Sequence, residues 1–364
     1  MDFIISLKKR GFQPVLLALK SGDLKNDFKA ITSIFLLHQT LVTKNRSFFI
    51  KILGRFWNNK FAKNIYDFCI FSIFKAQHWK IIYANTVETG AQLTKFKFSH
   101  AIKVFHLHEG KRFLKLFNPQ LLQEGCAQAN LIIACSDYVR KSIYEIYAGK
   151  SIEVAKTPLR VNHAFLEEIT IKPIYNLDIK QKLKFGSSGS IGWIKGSDLM
   201  IPLVKELKIL GLDFEYYWIG GDKSTKEFVE LEKQINDFFP NDIKLISSTQ
   251  EPFQFFENLD AFVLLSRDEA LSMVALENAA LGNPVFGFKD SGGIEEILKF
   301  NTDLLSPYIN VKALAFNIFS HFQNKNELQL KANSLREYVI KDFDQEKIHL
   351  QIFNLLEKTM LAND

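Results

Sequence analysis

Short apolar runs recur along the chain, and stretches with helical spacing of apolar positions separate them. The runs lack regular alternation of apolar and polar positions, which is typical of strands buried on both faces of a parallel sheet. Because strand and helix alternate throughout, we predict an α/β fold with two doubly wound domains. The predicted strands are Pro14–Leu19, Lys80–Ala84, Ile102–His106, Leu131–Cys135, Ile152–Ala155, Lys184–Gly189, Phe214–Gly220, Ile243–Ile246, Ala261–Leu265 and Pro284–Phe288.

The domain boundary is predicted within Ile169–Lys180, a stretch of mixed polarity that contains Pro173. This divides the chain into a first domain over residues 1–172, a second over 173–342, and a final segment, 343–364. The final segment is expected to pack back toward the first domain, and its helix is predicted over Gln345–Leu361.

One helix of the second domain has clear signals at both ends. Ser197 or Asp198 is expected to cap its beginning, and Gly211 is expected to end it. The beginning of the chain departs from the doubly wound pattern, because Met1–Arg10 is typical of the end of a helix. The strand and glycine-rich turn that normally open such a domain would precede Met1, so we expect the first domain to lack its first strand.

Composition narrows the class of protein. The 364 residues are 47% hydrophobic and 24% charged, which excludes a disordered chain and a small disulfide scaffold. The three cysteines, Cys69, Cys126 and Cys135, lack the spacing of metal ligands and indicate free thiols in a reducing compartment. Neither a cleavage-type signal nor a run of 18 apolar residues is found, so we predict a cytoplasmic protein.

The net charge of +6 conceals an asymmetry between the two halves. Residues 1–170 carry 25 basic and 12 acidic side chains, whereas residues 171–364 carry 21 basic and 28 acidic ones. Aromatic and basic side chains alternate within Ser47–Lys80, which favours peripheral contact with an anionic membrane at its inner face. The alternative is a set of core aromatic rings with a solvated lysine face. No nucleic-acid-binding module is found. The aromatic and basic side chains concerned are Phe48, Phe49, Phe56, Trp57, Phe61, Trp79, Lys51, Arg55, Lys60, Lys63 and Lys80.

Ligands of open α/β sheets bind beyond the carboxyl ends of the strands. The first such loop in the second domain, GSSGSIGWIKGSD over Gly186–Asp198, contains four glycines and places Lys195 just before a predicted helix. A lysine beside a helix N-terminus favours a phosphate. Neither GxxxxGK[ST] nor GxGxxG is present, so a glycine-rich turn with a solvated lysine is the alternative.

Two carboxylates follow the predicted strand Ala261–Leu265. Glu269 lies in the loop, and Glu277 lies in the helix that Ser272 is expected to cap. The carboxylates would flank the helix N-terminus at a separation of roughly 10 Å. Since carboxylates accept hydrogen bonds from hydroxyls, the pair suits a sugar and a ribose. Solvated surface charges are the alternative for an isolated pair.

These segments together resemble the C-terminal domain of the family 4 (group 1) glycosyltransferases. Those are retaining enzymes of the GT-B architecture, in which two Rossmann-like domains face a cleft. The resemblance covers Gly186–Ile297 and rests on GWIKGSDL, YWIGG, the Glu-x7-Glu segment that ends in LGNPVFGF, and SGGIEEI. The first half matches more loosely through YANT, HLHEG, IIACSDYVRKSI and EVAKTPLRVNHAF.

The resemblance implies a catalytic role for three side chains. Lys195 would hold the donor diphosphate, and Glu269 would bind hydroxyls of the donor sugar. His108 matches the family histidine that reaches the donor sugar from the first domain. A structural histidine is the alternative at that position.

The remaining implied contacts are to the donor. Glu277 would bind the ribose hydroxyls, and Gly189 and Ser190 would line the first loop, although the family commonly has an arginine at Ser190 or Ile194. Beside Glu269, the backbone N–H groups of Leu271 and Ser272 would contact the donor sugar. Those of Met273 and Val274 would face the phosphate.

The activity implied is transfer of a hexose-type sugar, with retained configuration, from a UDP- or GDP-sugar to a glycan or lipid-linked acceptor. Cell-surface polysaccharide or lipopolysaccharide synthesis is the expected setting, and neither a metal ion nor another cofactor is expected. A catalytically impaired GT-B protein that binds a sugar or lipid is the alternative. A second alternative is a GT-B enzyme of different chemistry, such as a nucleotide-sugar epimerase or a phosphorylase.

Overall fold

The computed structural model describes residues 1–18, 25–36, 72, 78–96, 100–116, 119–158 and 182–363. The predicted boundary at Ile169–Lys180 lies outside the described residues, as does nearly all of the segment Ser47–Lys80. The chain divides into two compact units. The first contains Met1–Phe105, Gln120–Leu131 and Ile352–Asp364, and the second contains His106–Pro119 and Ile132–Gln351.

The strands confirm all ten that the sequence predicts, with ends that differ by at most two residues. Two further strands, β2 and β12, were not predicted, because the first follows a helix almost directly and the second has only two residues. The strands are β1 Val15–Ala18, β2 Ser33–Leu36, β3 Ile81–Ala84, β4 Ile102–Leu107, β5 Leu131–Ala134, β6 Ile152–Val154, β7 Leu183–Ser188, β8 Phe214–Ile219, β9 Ile243–Ile246, β10 Ala261–Val263, β11 Val285–Phe288 and β12 Leu305–Ser306.

Helices connect the strands in the described part of the chain. The predicted helix over Gln345–Leu361 is confirmed, and no helix among the described residues combines the length and apolarity needed to cross a membrane. The helices are α1 Asp2–Lys9, α2 Lys25–Ile31, α3 Val87–Gly90, α4 Lys111–Leu116, α5 Pro119–Gln128, α6 Asp137–Tyr144, α7 Met200–Ile209, α8 Lys226–Phe238, α9 Phe253–Phe256, α10 Met273–Ala280, α11 Ile294–Ile297, α12 Val311–Gln323, α13 Lys325–Asp342 and α14 Gln345–Leu361.

The second unit contains a six-stranded sheet with the order β12-β11-β10-β7-β8-β9. Strand β7 therefore lies between β8 on one side and β10 on the other, and both pairings are parallel. From β7 the chain continues into β8 and β9 on one side, and it then crosses to β10, β11 and β12 on the other side. This arrangement makes the β7–β10 junction the topological switch point, where open α/β sheets bind ligands.

The core of this sheet is apolar on both faces, as its sequence pattern predicts. Phe185, Tyr216, Trp218, Phe262 and Phe286 are fully buried, and helices cover the strands that carry them. The other described strands form a sheet with the order β3-β4-β5-β6 and a separate β1–β2 pair. In the first unit, Phe12 packs edge-on against Phe353 of α14, with ring centroids 5.6 Å apart.

The predicted cap at the beginning of α7 is wrong. The segment begins with a 3₁₀ turn, and neither Ser197 nor Asp198 makes a side-chain cap. The Ser197 Oγ accepts a hydrogen bond from the Gly192 N–H at 3.0 Å, and the Asp198 carboxylate binds Arg267. Tertiary partners have therefore taken both side chains away from the helix terminus. The predicted end is confirmed, since Gly211 follows α7 with φ of 83°.

Candidate active site

The loop after β7 contains Gly196 at the switch point, where any other residue would be strained. Gly196 has φ of 74°, and a Cβ there would lie 2.0 Å from the Leu265 carbonyl oxygen. The loop therefore passes against the end of β10 at this point. Lys195, one residue earlier, is carried to the loop that follows β10.

Lys195 and Glu269 are brought together, although 74 residues separate them in the sequence. The Lys195 Nζ forms an ion pair with the Glu269 Oε1, and the same oxygen accepts a hydrogen bond from the Ser266 Oγ at 2.8 Å. The side chain of Glu269 is 12% exposed and that of Lys195 is 34% exposed. The pair is half-buried, so water screens it less than it would a surface pair.

The backbone of Glu269 is fixed by the turn that follows β11. The Glu269 N–H donates to the Ser291 carbonyl oxygen, and the Gly293 N–H donates to the Glu269 carbonyl oxygen, both at 2.9 Å. Gly292 lies between these bonds with φ of 121°. A Cβ at Gly292 would lie 2.0 Å from the Glu269 carbonyl oxygen, so the close approach requires glycine.

Helix α10 begins directly after this loop, with the predicted cap. The Ser272 Oγ accepts a hydrogen bond from the Ala275 N–H, and Met273 and Val274 form the first turn. The N–H groups of a first turn have no partner within the helix, and the helix dipole adds positive potential there. Leu271 and Ser272 are buried, and so is Glu277, one turn into the helix.

His108 follows the end of β4, as predicted. Its ring lies against that of His106 with a centroid separation of 4.0 Å, and the His108 backbone N–H donates to the Glu109 Oε2. Burial, followed by the proximity of His108, holds the pKa of His106 well below its usual value. His106 is therefore neutral at physiological pH, and His108 is the less buried member of the pair.

The sequence interpretation missed Asp268, whose carboxylate joins the segment after β4 to the loop that carries Glu269. Asp268 is 7% exposed. It accepts hydrogen bonds from the Tyr138 hydroxyl at 2.5 Å and from the Arg112 backbone N–H at 2.7 Å. A Cβ at Gly110 would lie 2.6 Å from the Asp268 carboxylate, so the backbone after His108 approaches it closely.

Helix α6 adds two further bonds to this part of the chain. The Ser136 Oγ donates to the Ala270 carbonyl oxygen at 2.7 Å, and the Tyr138 N–H donates to the Glu296 Oε1 at 2.9 Å. Burial raises the pKa of Glu296 above its usual value. Residues on both sides of Glu269 are thus held by α6, which lies in the quoted segment IIACSDYVRKSI.

The sequence interpretation also missed Arg267, which is 8% exposed. Its two Nη atoms each bind one oxygen of Asp198 at 2.7 Å, and Nη1 also donates to the Trp193 carbonyl oxygen. This bidentate pair ties the loop after β10 to the loop after β7. Arg267 and Asp268 flank Glu269 in the sequence, but only the fold reveals their partners.

Gly189 and Ser190 lie where β7 ends. The Gly189 N–H donates to the Ile219 carbonyl oxygen at 3.0 Å, and Ser190 is exposed. Among the residues that the structure describes, no group of three or more His, Cys, Asp or Glu side chains is placed to hold a metal ion.

Asp268→Asn is expected to lower the free energy of unfolding by about 1–3 kcal/mol, because an amide has one acceptor oxygen for the two donors that the buried carboxylate now serves. The pKa of Tyr138 is raised by burial and then by the Asp268 carboxylate, so the substitution is expected to lower it. Urea unfolding and ultraviolet titration of the tyrosines measure the two effects. Tyr138→Phe identifies the Tyr138 signal. Unchanged values for both quantities would contradict this role for Asp268.

Comparison with known proteins gives results at the levels of sequence and fold. Residues 171–342 match the family model described as glycosyl transferases group 1. No curated protein sequence matches the chain. The solved structure of HepE from Anabaena in complex with UDP and glucose is 16% identical, with a TM-score of 0.73 and coverage of 98% of this chain and 94% of that one.

Two other solved structures show a similar likeness. Sucrose-phosphate synthase from Thermosynechococcus elongatus is 15% identical, with a TM-score of 0.75 and coverage of 99% of this chain and 92% of that one. A glycosyltransferase from Rickettsia africae is 16% identical, with a TM-score of 0.71 and coverage of 100% and 94%. The chain thus has the predicted GT-B fold, and the stretch that matches the group 1 glycosyltransferase model includes Lys195, Glu269 and Glu277.

Proposed function

We propose that this protein transfers a hexose-type sugar, with retained configuration, from a nucleotide-diphosphate sugar to a glycan or lipid-linked acceptor. The observation that carries the proposal is the Lys195–Glu269 ion pair at the switch point, directly before the N-terminus of α10. One cation, one carboxylate and a helix N-terminus suit the three parts of such a donor.

The donor diphosphate is assigned to the positive groups of the site. Lys195 and the first-turn N–H groups of Met273 and Val274 supply charge and hydrogen-bond donors for it. Gly189 and Ser190 border the same loop. Glu277 is one turn into α10 and accepts hydrogen bonds from the ribose hydroxyls.

The donor sugar is assigned to Glu269 and His108, with the N–H groups of Leu271 and Ser272 beside them. The acceptor oxygen attacks the anomeric carbon on the face from which the diphosphate departs, and the bond from that carbon to the diphosphate oxygen breaks. The acceptor proton passes to the departing diphosphate oxygen. Lys195 and the α10 dipole stabilise the charge that develops there.

These groups supply the positive charge that the leaving diphosphate needs, so we propose transfer that requires neither a metal ion nor another cofactor. HepE, whose solved structure contains UDP and glucose, favours UDP and a hexose, and a GDP-sugar is the second donor to test. We further propose that the protein acts in the cytoplasm in polysaccharide or lipopolysaccharide synthesis, peripherally at the inner face of the membrane.

The proposed function is tested with a panel of UDP-glucose, UDP-galactose, UDP-N-acetylglucosamine and GDP-mannose, with and without EDTA. Proton NMR follows loss of each donor and the anomeric configuration of the first product, in the presence of a membrane extract as acceptor source. We expect one donor to be consumed at the same rate in EDTA, with an α-anomeric product from an α-linked donor.

Two outcomes would contradict the proposal. A first product with inverted configuration would overturn the retaining mechanism. Donor binding without any turnover would instead identify a catalytically impaired GT-B protein that binds the nucleotide sugar.

A further inference from the structure

Two arginines lie against one tryptophan in the loop that carries Lys195. The guanidinium carbon of Arg112 is 4.9 Å from the centroid of the Trp193 ring, and that of Arg267 is 4.7 Å from it. Trp193 is 54% exposed, which is unusual for so large an apolar side chain. Arg112 comes from the first turn of α4, more than 80 residues earlier in the chain.

The two arginines differ in what neutralises them. Arg267 is buried and bound by both carboxylate oxygens of Asp198, so its charge is used within the protein. Arg112 is exposed, and no carboxylate among the described residues forms an ion pair with its side chain. Its side chain forms one hydrogen bond with the described residues, from Nη2 to the neutral hydroxyl of Tyr308 at 2.9 Å.

The hydroxyl of Tyr308 is oriented so that it accepts a hydrogen bond from Arg112. Its hydroxyl donates to the Arg267 carbonyl oxygen at 3.2 Å, so an oxygen lone pair faces Arg112. Arg112 is thus positioned by stacking on one side and by a hydrogen bond on the other. A side chain fixed in this way loses little further freedom when it binds a ligand.

Arg112 is also placed beside the proposed donor site. Its backbone N–H donates to Asp268, the neighbour of Glu269, and its side chain stacks on Trp193, two residues before Lys195. A guanidinium offers five N–H donors in a planar fork that matches the oxygens of a carboxylate or phosphate. Only one of these donors has a recorded partner among the described residues.

We propose that Arg112, positioned by Trp193 and Tyr308, binds an anionic group of the acceptor at the rim of the donor site. This inference rests on the proposed function, in which Lys195 and the α10 N-terminus already serve the donor diphosphate. The acceptor is therefore a molecule with a carboxylate or a phosphate near the hydroxyl that receives the sugar. An acidic sugar and a phosphate-linked carrier share this chemistry.

The test uses the fluorescence of Trp193 in the full-length protein saturated with UDP. Glucuronate and glycerol phosphate are titrated as the two anionic probes, and glucose serves as the neutral probe. We expect at least one anion to change the fluorescence at concentrations about tenfold below those that glucose requires. The stronger of the two anions identifies its source as a sugar acid or a phosphate. Trp193→Phe is expected to remove the signal.

Arg112→Gln and Arg112→Lys are the informative variants. Arg112→Gln is expected to weaken anion binding by about tenfold, with an affinity for UDP within about twofold of the wild-type value. Arg112→Lys keeps the charge but loses the fork, so its affinity for the anion is expected to lie between the two. Circular dichroism checks that both variants fold.

Three results would overturn the proposal. These are unchanged anion binding by Arg112→Gln, weakened UDP binding by the same variant, and a signal that persists in Trp193→Phe. If the protein binds neither UDP nor GDP, the proposed function fails instead. The anion titration without UDP then still tests the Arg112 site by itself.

Discussion

Glu269→Gln is expected to lower the turnover number of sugar transfer by about 10²–10³-fold, the range found when one group that stabilises a transition state is removed. Glutamine keeps the size of the side chain and its bond to Ser266, but it loses the charge that pairs with Lys195. Lys195 is then available to the diphosphate, so the affinity for the nucleotide is expected to stay the same or to rise. The loss therefore lies in turnover and not in donor binding.

Steady-state kinetics with the active donor measures this split, and Glu232→Gln is the matched control. Glu232 is exposed on α8 and forms no side-chain hydrogen bond or ion pair with another described residue, so its substitution is expected to leave both quantities unchanged. Wild-type turnover by Glu269→Gln would remove Glu269 from the reaction. An equal loss in Glu232→Gln would show that the effect is not specific to the site.

Gly292→Ala is expected to reduce both stability and turnover, because it acts on the backbone that fixes Glu269. Its φ of 121° is unfavourable for any residue with a Cβ, and the new methyl group would lie 2.0 Å from the Glu269 carbonyl oxygen. We expect the free energy of unfolding to fall by about 3 kcal/mol or more. A displacement of Glu269 by about 1 Å is expected to lower turnover by about 10²-fold.

Gly211→Ala separates the two contributions. Gly211 also has a positive φ, of 83°, but a Cβ there would meet nothing within 4 Å. We expect this variant to lose about 1–2 kcal/mol, the cost of the left-handed conformation alone, and to keep its turnover. Chemical denaturation and donor kinetics measure both variants. Equal effects of the two substitutions would show that the contact with Glu269 is unimportant.

Much of the fold could be predicted from the sequence, because a strand that is buried on both faces is a continuous apolar run in the sequence. Every predicted strand was confirmed, since a strand such as Leu131–Ala134 is apolar at all positions. The cap Ser272 and the stop Gly211 were likewise predicted, because each acts on its own helix end. Local rules were sufficient wherever the deciding contact is close in sequence.

Those same rules failed where distant residues compete for a side chain. Ser197 and Asp198 have good capping chemistry, but Gly192 and Arg267 bind them instead. Asp268 gave no signal of its own, because its partner Tyr138 lies 130 residues earlier and belongs to another helix. For Lys195 and Glu269, the sequence predicted the loops that carry them, because each loop follows a predicted strand. The ion pair between them could not be predicted, because it depends on how the two loops pack.

The central claim is that Lys195 and the N-terminus of α10 bind a nucleoside diphosphate. Isothermal titration of UDP and GDP into the wild-type protein, Lys195→Ala and Lys205→Ala tests it most directly. Lys205 is exposed on α7, and within the described part of the chain its side chain forms no hydrogen bond or ion pair, so it controls for loss of charge. We predict one bound nucleotide for the wild type and for Lys205→Ala. For Lys195→Ala we predict an affinity that is lower by about tenfold or more. Equal affinity of all three proteins, or no binding of either nucleotide, would contradict the account.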